Sequence, residues 1–159
     1  MEYSEDTVME TRGLTFSYDG EQNILENLDF AIPAGKVTVL MGANGCGKST
    51  LFKLMTKNLY PDEGSIILEG EDIDEMRLKD FAKKVAIVHQ NNTAPPDLTV
   101  ERLVGYGRTP YLGAFQTAGG QEDEEAVEWA MEITDVKKHR NKSVAELSGG
   151  QRQRVWIAM

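Results

Sequence analysis

Residues 42–50 read Gly-Ala-Asn-Gly-Cys-Gly-Lys-Ser-Thr, and they follow directly on an apolar run at residues 36–41. The stretch fits the pattern G-x-x-x-x-G-K-[ST], in which glycines allow successive backbone N–H groups to point into one hollow. Such a hollow, with the N-terminus of the next helix beside it, binds phosphate oxygens. The stretch therefore predicts a strand, a phosphate-binding loop and a helix in that order, and hence a site for a nucleoside triphosphate.

Within this loop each residue type has a separate task. Gly42, Gly45 and Gly47 form the turn, Lys48 is placed to reach the β- and γ-phosphates, and Ser49 offers its hydroxyl to Mg²⁺. The alternative is a glycine-rich turn that arose by chance, which the apolar run before it and the helical pattern after it disfavour. The predicted nucleotide-binding residues of the loop are Gly42, Asn44, Gly45, Cys46, Gly47, Lys48, Ser49 and Thr50.

Composition sets limits on the class of protein. The 159 residues are enough for one domain with a core, and 17 Lys and Arg against 26 Asp and Glu give a net charge of −9. This balance argues against a nucleic-acid surface, which needs clustered cations. The N-terminal segment, residues 1–6, is acidic where a secretory signal would be basic. We therefore expect a cytoplasmic protein. Cys46 is the single cysteine, and we interpret it as a tolerated small residue and not as a redox switch.

The apolar periodicity predicts strands that are followed by a more helical second half. Glycine and proline turns separate the segments, for example at Asp19-Gly20 and at residues 61–64. The predicted strands cover residues 8–18, 24–32, 36–41, 65–70 and 85–90, and the predicted helices start at Lys48 and cover residues 78–84, 99–105 and 122–134.

A second motif stands near the C-terminus. Residues 147–151 read Leu-Ser-Gly-Gly-Gln, which alone would indicate a helix capped by Ser148. Together with the phosphate-binding loop a hundred residues earlier, the motif resembles the signature of the ATP-binding cassette (ABC) family. The resemblance implies an α/β P-loop NTPase domain with an antiparallel β-subdomain and a helical subdomain. It places the β-subdomain and loop core at about residues 1–92, the helical subdomain at about 93–147 and the signature helix at 148–159.

The resemblance also implies how such a site works. In this family the signature of one subunit closes over the ATP held by its partner, so a homodimer is expected. Tyr18 matches an aromatic residue that stacks on adenine, with a strand aromatic packed in the core as the alternative. Gln90 matches a glutamine that contacts Mg²⁺ and the attacking water, with a merely exposed residue as the alternative. The implied catalytic residues are Lys48, Gln90, Ser148 and Gly150, and the implied signature residues are Leu147, Ser148, Gly149, Gly150 and Gln151.

Residues 104–115 indicate a group within the family. Their Gly-Arg-Thr-Pro stretch at residues 107–110 is similar to subunits that energise import of ferric siderophores, haem or vitamin B12, although Tyr111 stands where those relatives often have His. A helix-ending turn without meaning for the substrate is the alternative. The resemblance implies ATP and Mg²⁺ as ligands, a membrane permease and, indirectly, a periplasmic or surface substrate-binding protein as partners. It also implies a position on the cytoplasmic face of the membrane.

One feature of the family pattern is not found in this sequence. No Asp-Glu pair follows an apolar strand, since the pairs at residues 62–63, 74–75 and 123–124 have polar surroundings. The general base is therefore not found, and we expect the N-terminal portion of a longer protein, with the C-terminal part of the core missing and no ATP turnover alone. A soluble cassette ATPase without a transporter and a hydrolysis-incompetent fragment stay open as alternatives. No partner can be named for His89 or His139, and we expect both to be surface residues and not ligands.

Overall fold

A computed structural model describes residues 7–113 and 120–159, so the last two residues of the segment 104–115 lie outside the described residues. The chain divides into two compact units, and the boundary falls between Phe81 and Ala82. The first unit contains a four-stranded antiparallel sheet in the order β2-β1-β3-β4. Its elements are β1 (Thr7–Ser17), β2 (Asn23–Pro33), α1 (Lys48–Met55), β3 (Glu63–Leu68) and β4 (Glu71–Asp72).

The turn between β1 and β2 is built by Asp19. Its carboxylate accepts hydrogen bonds from the N–H groups of Glu21 and Gln22, at 2.9 and 3.1 Å, and from the Ser17 hydroxyl at 2.9 Å. These hydrogen bonds hold the pKa of Asp19 below its ordinary value of 3.8, and the two from backbone N–H groups have the largest effect. The turn brings the apolar positions of both strands to one core, whose buried residues include Leu14, Phe16, Leu25, Leu51, Leu54 and Ile66.

Two predicted strands are not formed, and those predictions were wrong. Residues 36–41 lead into the loop without strand structure, and Val37 and Met41 are 93% and 84% exposed. Residues 85–90 are likewise without regular structure, and Val88 is half exposed. The physical reason is that an apolar run becomes a strand only when neighbouring strands take up its N–H and C=O groups. No strand among the described residues pairs with either run.

The second unit is helical. Helix α2 (Leu78–Lys84) crosses the boundary, and α3 (Val100–Tyr106), α4 (Gln121–Ile133) and α5 (Gly149–Ala158) follow. Thr99 caps α3 by accepting the N–H of Arg102, so that this helix begins where its capping residue predicts. All five predicted helices are confirmed to within a residue or two at their ends, α5 included. The helices enclose one apolar cluster of Leu98, Val100, Leu103, Val104, Met131, Val136, Val144, Leu147, Val155 and Ala158.

Ion pairs cross the surface of the second unit. Arg140 pairs with Glu101 of α3 and with Glu128 of α4, the latter at 3.2 Å. Lys137 also binds Glu128, at 2.6 Å. The hydrogen bond from Lys137, reinforced by the charges of Lys137 and Arg140, holds the pKa of Glu128 below its ordinary value of 4.5. These pairs tie α3 and α4 to the segment that follows α4. None of the helices in the described ranges is long and apolar enough to cross a bilayer.

Glu128 gives the second unit an acid-sensitive contribution to stability. Because its folded pKa is depressed, this contribution is present above 4.5 and is lost as the pH falls through the folded pKa. We expect Glu128→Gln to lower stability at neutral pH and to have a smaller effect in acid. Urea unfolding followed by tryptophan fluorescence measures this unit alone, because both tryptophans, Trp129 and Trp156, lie within it.

The matched control is Glu146→Gln, which removes an exposed carboxylate in the same unit. In this variant, the difference in free energy of unfolding between neutral and acid pH should equal that of the unmodified chain. An equal loss of stability for Glu128→Gln at both pH values would contradict the assignment.

Candidate functional site: a phosphate-binding loop and a signature helix

The loop at residues 42–47 is shaped by glycines with left-handed backbone conformations. Gly45 and Gly47 have φ angles of 83° and 87°, and Gly47 is the N-cap residue of α1. The Leu51 N–H donates to the Gly47 carbonyl at 2.8 Å, so the helix begins directly after the loop. The first N–H groups of a helix have no partner within it and carry its positive dipole end. The predicted order of loop and helix is thus confirmed, and the helix start offers donors to an anion.

Gly47 also lies against the sheet. A Cβ atom there would stand 2.8 Å from Leu25 Cδ2 and 3.2 Å from the Ile24 carbonyl oxygen, whereas at Gly45 it would meet nothing within 4 Å. We expect Gly45→Ala to lower the free energy of unfolding by about 1–2 kcal/mol through its φ angle alone. Gly47→Ala should add an overpacking cost of about 1–3 kcal/mol. Urea unfolding followed by far-UV circular dichroism measures both, and equal losses would contradict the close packing of the loop on β2.

Lys48 folds back over the loop. Its Nζ donates to the carbonyl oxygens of Gly42 at 2.9 Å and Ala43 at 2.6 Å, and it lies 3.6 Å from Cys46 Sγ. An ammonium group has three donors, and all three face the loop in this arrangement. The two carbonyls hold the positive charge over the loop. Ser49 is exposed beside Lys48 in the first turn of α1, and Thr50 is buried.

Tyr18 lies at the end of β1 and is 58% exposed, so the alternative that it packs in the core is wrong. Its ring meets Phe16 edge to face with centroids 4.9 Å apart. Its hydroxyl lies 3.4 Å from Thr50 Oγ1, which places the ring next to α1. The Lys53 ammonium lies 6.0 Å from the ring centre, a neighbour that the sequence did not indicate. The Tyr18 ring is thus more than half exposed beside α1.

The signature begins α5 with a capping box. Ser148 accepts the Gln151 N–H at 3.4 Å, and the Gln151 side-chain oxygen accepts the Ser148 N–H at 2.9 Å. A Cβ atom on Gly149 or Gly150 would meet nothing within 4 Å, so the backbone of the first turn is open to solvent. Leu147 is buried in the apolar cluster and anchors the segment. The capping role of Ser148 is confirmed, and the helix start forms a second surface of bare N–H groups.

The histidines differ from each other. His89 is exposed, as predicted. His139 is half-buried, and its Nε2 lies 3.1 Å from Gln151 Nε2, a partner that the sequence did not indicate. The sequence carries no signal for this contact, since the two residues are twelve positions apart and no single helix or strand joins them.

The predicted site residues fall into two groups. Tyr18 and the loop residues come together in the first unit, whereas the signature residues lie in the second. Gln90 is exposed in the second unit, at the end of the irregular run 85–90. Within the described part of the chain, no group of three or more His, Cys, Asp or Glu residues could hold a metal ion.

Known proteins resemble this chain over the part that contains both motifs. The sequence profile of the ABC transporter family matches residues 25–159. The chain is 44% identical over 151 residues to the iron(3+)-hydroxamate import ATP-binding protein FhuC of Bacillus subtilis (strain 168), covering 95% of this chain and 55% of that protein. It is also 44% identical over 156 residues to the ferric enterobactin transport ATP-binding protein FepC of Escherichia coli (strain K12), covering 97% and 57%. The chain thus spans about half the length of these relatives.

Solved structures agree with the sequence relatives. The cbiO1 protein from Clostridium perfringens, described as part of the ABC transporter complex cbiONQ, matches with a TM-score of 0.80 at 28% identity, covering 96% of this chain and 60% of that one. The ATP-binding cassette MJ1267 matches with a TM-score of 0.76 at 26% identity, covering 96% and 63%. The predicted fold class and the predicted resemblance to siderophore importer subunits are both confirmed. A profile match of this extent, with these identities, shows that the chain belongs to the ABC transporter family.

Proposed function

We propose that the chain is part of an ATP-binding and ATP-hydrolysing subunit that energises import of a ferric siderophore. The observation that carries the proposal is the loop itself, in which Lys48 is held across the carbonyls of Gly42 and Ala43 at the start of α1. The relatives with about 44% identity are named as ATP-binding proteins of iron(3+)-hydroxamate and ferric enterobactin systems. The substrate class is taken from these relatives, and the chemistry from the loop.

ATP would bind with its phosphates in the loop. The N–H groups at the start of α1 would meet phosphate oxygens, and the Lys48 ammonium would exchange a carbonyl partner for the β- and γ-phosphates. The exposed Tyr18 ring beside α1 would stack on adenine, since a flat aromatic face suits a base. Gly42, Asn44, Gly45, Cys46 and Gly47 would line the phosphates.

Mg²⁺ is the metal that such a loop requires, and the chemistry of each assigned donor suits it. Ser49 presents an exposed hydroxyl oxygen in the first turn of α1, and Gln90 presents an exposed amide. Oxygen donors together with substrate phosphates and water are what Mg²⁺ prefers. The ion would neutralise charge on the phosphates, and Ser49 would orient it. The family resemblance alone assigns Gln90 to the ion and the attacking water.

Hydrolysis would take place between two copies. Ser148 and the open backbone of Gly150 form an anion-binding surface at the start of α5, and we assign it to the γ-phosphate held by a second copy. The dimer would therefore contain two sites, each with a loop from one copy and a signature from the other. Catalysis of this kind consists of positioning and charge stabilisation.

We infer the partners from the family resemblance. The subunit would lie on the cytoplasmic face of the membrane and bind an integral permease, which in turn receives the siderophore from a periplasmic or surface binding protein. We expect no nucleic acid, in keeping with the net charge of −9. The Gly-Arg-Thr-Pro stretch is fixed to α4, since Arg108 binds Asp123 at 2.7 Å and stacks 4.0 Å from the centre of the Tyr111 ring.

Purification from detergent-solubilised membranes tests the proposal. A tagged subunit, expressed in its own organism, is expected to retain a membrane permease. Deletion of its gene should abolish uptake of a labelled ferric siderophore, while uptake of haem and cobalamin serves as the comparison. A subunit that binds no permease, with siderophore uptake unchanged by the deletion, would instead favour a soluble cassette ATPase.

A further inference from the structure

His139 lies next to the signature and is half-buried at the end of a short 3₁₀ turn, Lys137–His139. Its Nε2 atom is 3.1 Å from the side-chain nitrogen of Gln151. Its Nδ1 atom is buried and makes no hydrogen bond to any described residue. Among the described residues, the ring therefore has a single polar contact, and that contact is to the capping box of α5.

The orientation of the Gln151 amide is set by the backbone. The Ser148 N–H is a donor and cannot be anything else, so the atom that faces it at 2.9 Å must be the amide oxygen. The other end of the amide, which faces His139, is therefore the NH₂ group. Because this group only donates, a hydrogen bond at 3.1 Å requires His139 Nε2 to accept.

We propose that His139 is a positioning residue for the signature, and that it acts as the neutral tautomer with its proton on Nδ1. In this form its Nε2 lone pair accepts a proton of the Gln151 amide and holds the amide oxygen on the Ser148 N–H. The opposite tautomer and the protonated ring would both place an N–H against the amide NH₂. Either would turn the amide over or push it away, and the Ser148 N–H would lose its acceptor.

The consequence for ATP rests on the proposed function. Ser148 and Gly150 form the surface that we assign to the partner's γ-phosphate, and the capping box fixes the backbone between them. His139 would thus support phosphate binding without touching the nucleotide. The tautomer itself can be tested without any nucleotide.

Long-range ¹H–¹⁵N correlation of the imidazole nitrogens provides this test. The chain has only two histidines, so His89→Gln leaves His139 as the single ring in the spectrum. Above neutral pH we expect an unprotonated Nε2 and a protonated Nδ1, the reverse of the tautomer that predominates for free histidine in water. A protonated Nε2 in this spectrum would overturn the proposal.

Two variants of α5 connect the tautomer to the capping box. Gln151→Ala should return His139 to the tautomer of free histidine, because the amide donor is gone. Gln153→Ala makes the same change at an exposed position of the same helix and should leave the spectrum as it was. A tautomer that is unaffected by Gln151→Ala would show that the amide does not set it, and would overturn the proposal.

Hydrogen exchange of the Ser148 amide measures the positioning itself. With His139→Ala we expect exchange to be faster by roughly fivefold, which corresponds to the loss of one hydrogen bond. His139→Gln offers an oxygen acceptor in place of Nε2 and should restore much of the protection. Exchange at Ser148 that does not change in His139→Ala would overturn the positioning role, whatever the outcome for ATP binding.

Discussion

Lys48→Ala is expected to weaken binding of MgATP by about ten- to a hundredfold, which is the effect of removing hydrogen bonds from a charged donor. The chain as a whole repels the nucleotide, since its net charge is −9. Attraction must therefore come from the loop, and Lys48 is its only cation. In the intact subunit the turnover number should fall by a further factor of about a hundred or more, because the charge also stabilises the transferred phosphoryl group. Titration with a fluorescent ATP analogue and steady-state phosphate release measure the two effects.

The control for this variant is Lys36→Ala, which removes the same charge from an exposed position before the loop. It should bind and hydrolyse ATP like the unmodified protein. Lys48 also holds the carbonyls of Gly42 and Ala43, so circular dichroism must show that the variant is folded. Undiminished binding by a folded Lys48→Ala variant would refute the nucleotide site.

The second large effect is expected at Gly150, where stability and activity should change in opposite directions. A methyl group there meets nothing within 4 Å in this chain, and alanine in place of glycine favours a helix by about 0.5–1 kcal/mol. Gly150→Ala should therefore leave α5 intact or more stable. If the phosphate of a second copy approaches this backbone, the methyl group blocks it. We then expect phosphate release by the intact subunit to fall by about a hundredfold, the effect of losing one backbone donor.

Gly105→Ala is the matched control, because it is also a glycine in a helix with open space around the new methyl group. It should raise stability by a similar amount and leave phosphate release unchanged. ATP binding by a single copy of Gly150→Ala should be normal. Binding should therefore be measured separately from turnover. Full turnover by this variant would mean that no partner closes over the signature.

The loop and the signature could be predicted from the sequence because their geometry is local. Gly45, Gly47 and Lys48 form one turn and the start of one helix, so their spacing alone fixes what they can do. Ser148 and Gln151 likewise form a capping box over three residues. The exposure of Tyr18 could be inferred from the turn at Asp19 and Gly20, which ends the strand.

Two kinds of feature could not be predicted. The runs 36–41 and 85–90 have the composition of buried strands, but composition does not say whether a neighbouring strand is there to pair with them. The contact between His139 and Gln151 joins segments that no single helix or strand connects, and no periodicity reports such a contact. In both cases the missing information is long-range pairing.

The unpaired run before the loop links nucleotide affinity to sheet assembly. Val37 and Met41 lie open to water, and the chain passes from Met41 directly to Gly42, whose carbonyl orients the Lys48 ammonium. Any partner strand that pairs with residues 36–41 would also fix the direction in which this carbonyl points. By thermodynamic linkage, the factor by which such pairing changes the affinity for ATP equals the factor by which ATP changes the pairing equilibrium. ATP would then influence strand formation at residues 36–41 in addition to serving as the substrate for hydrolysis.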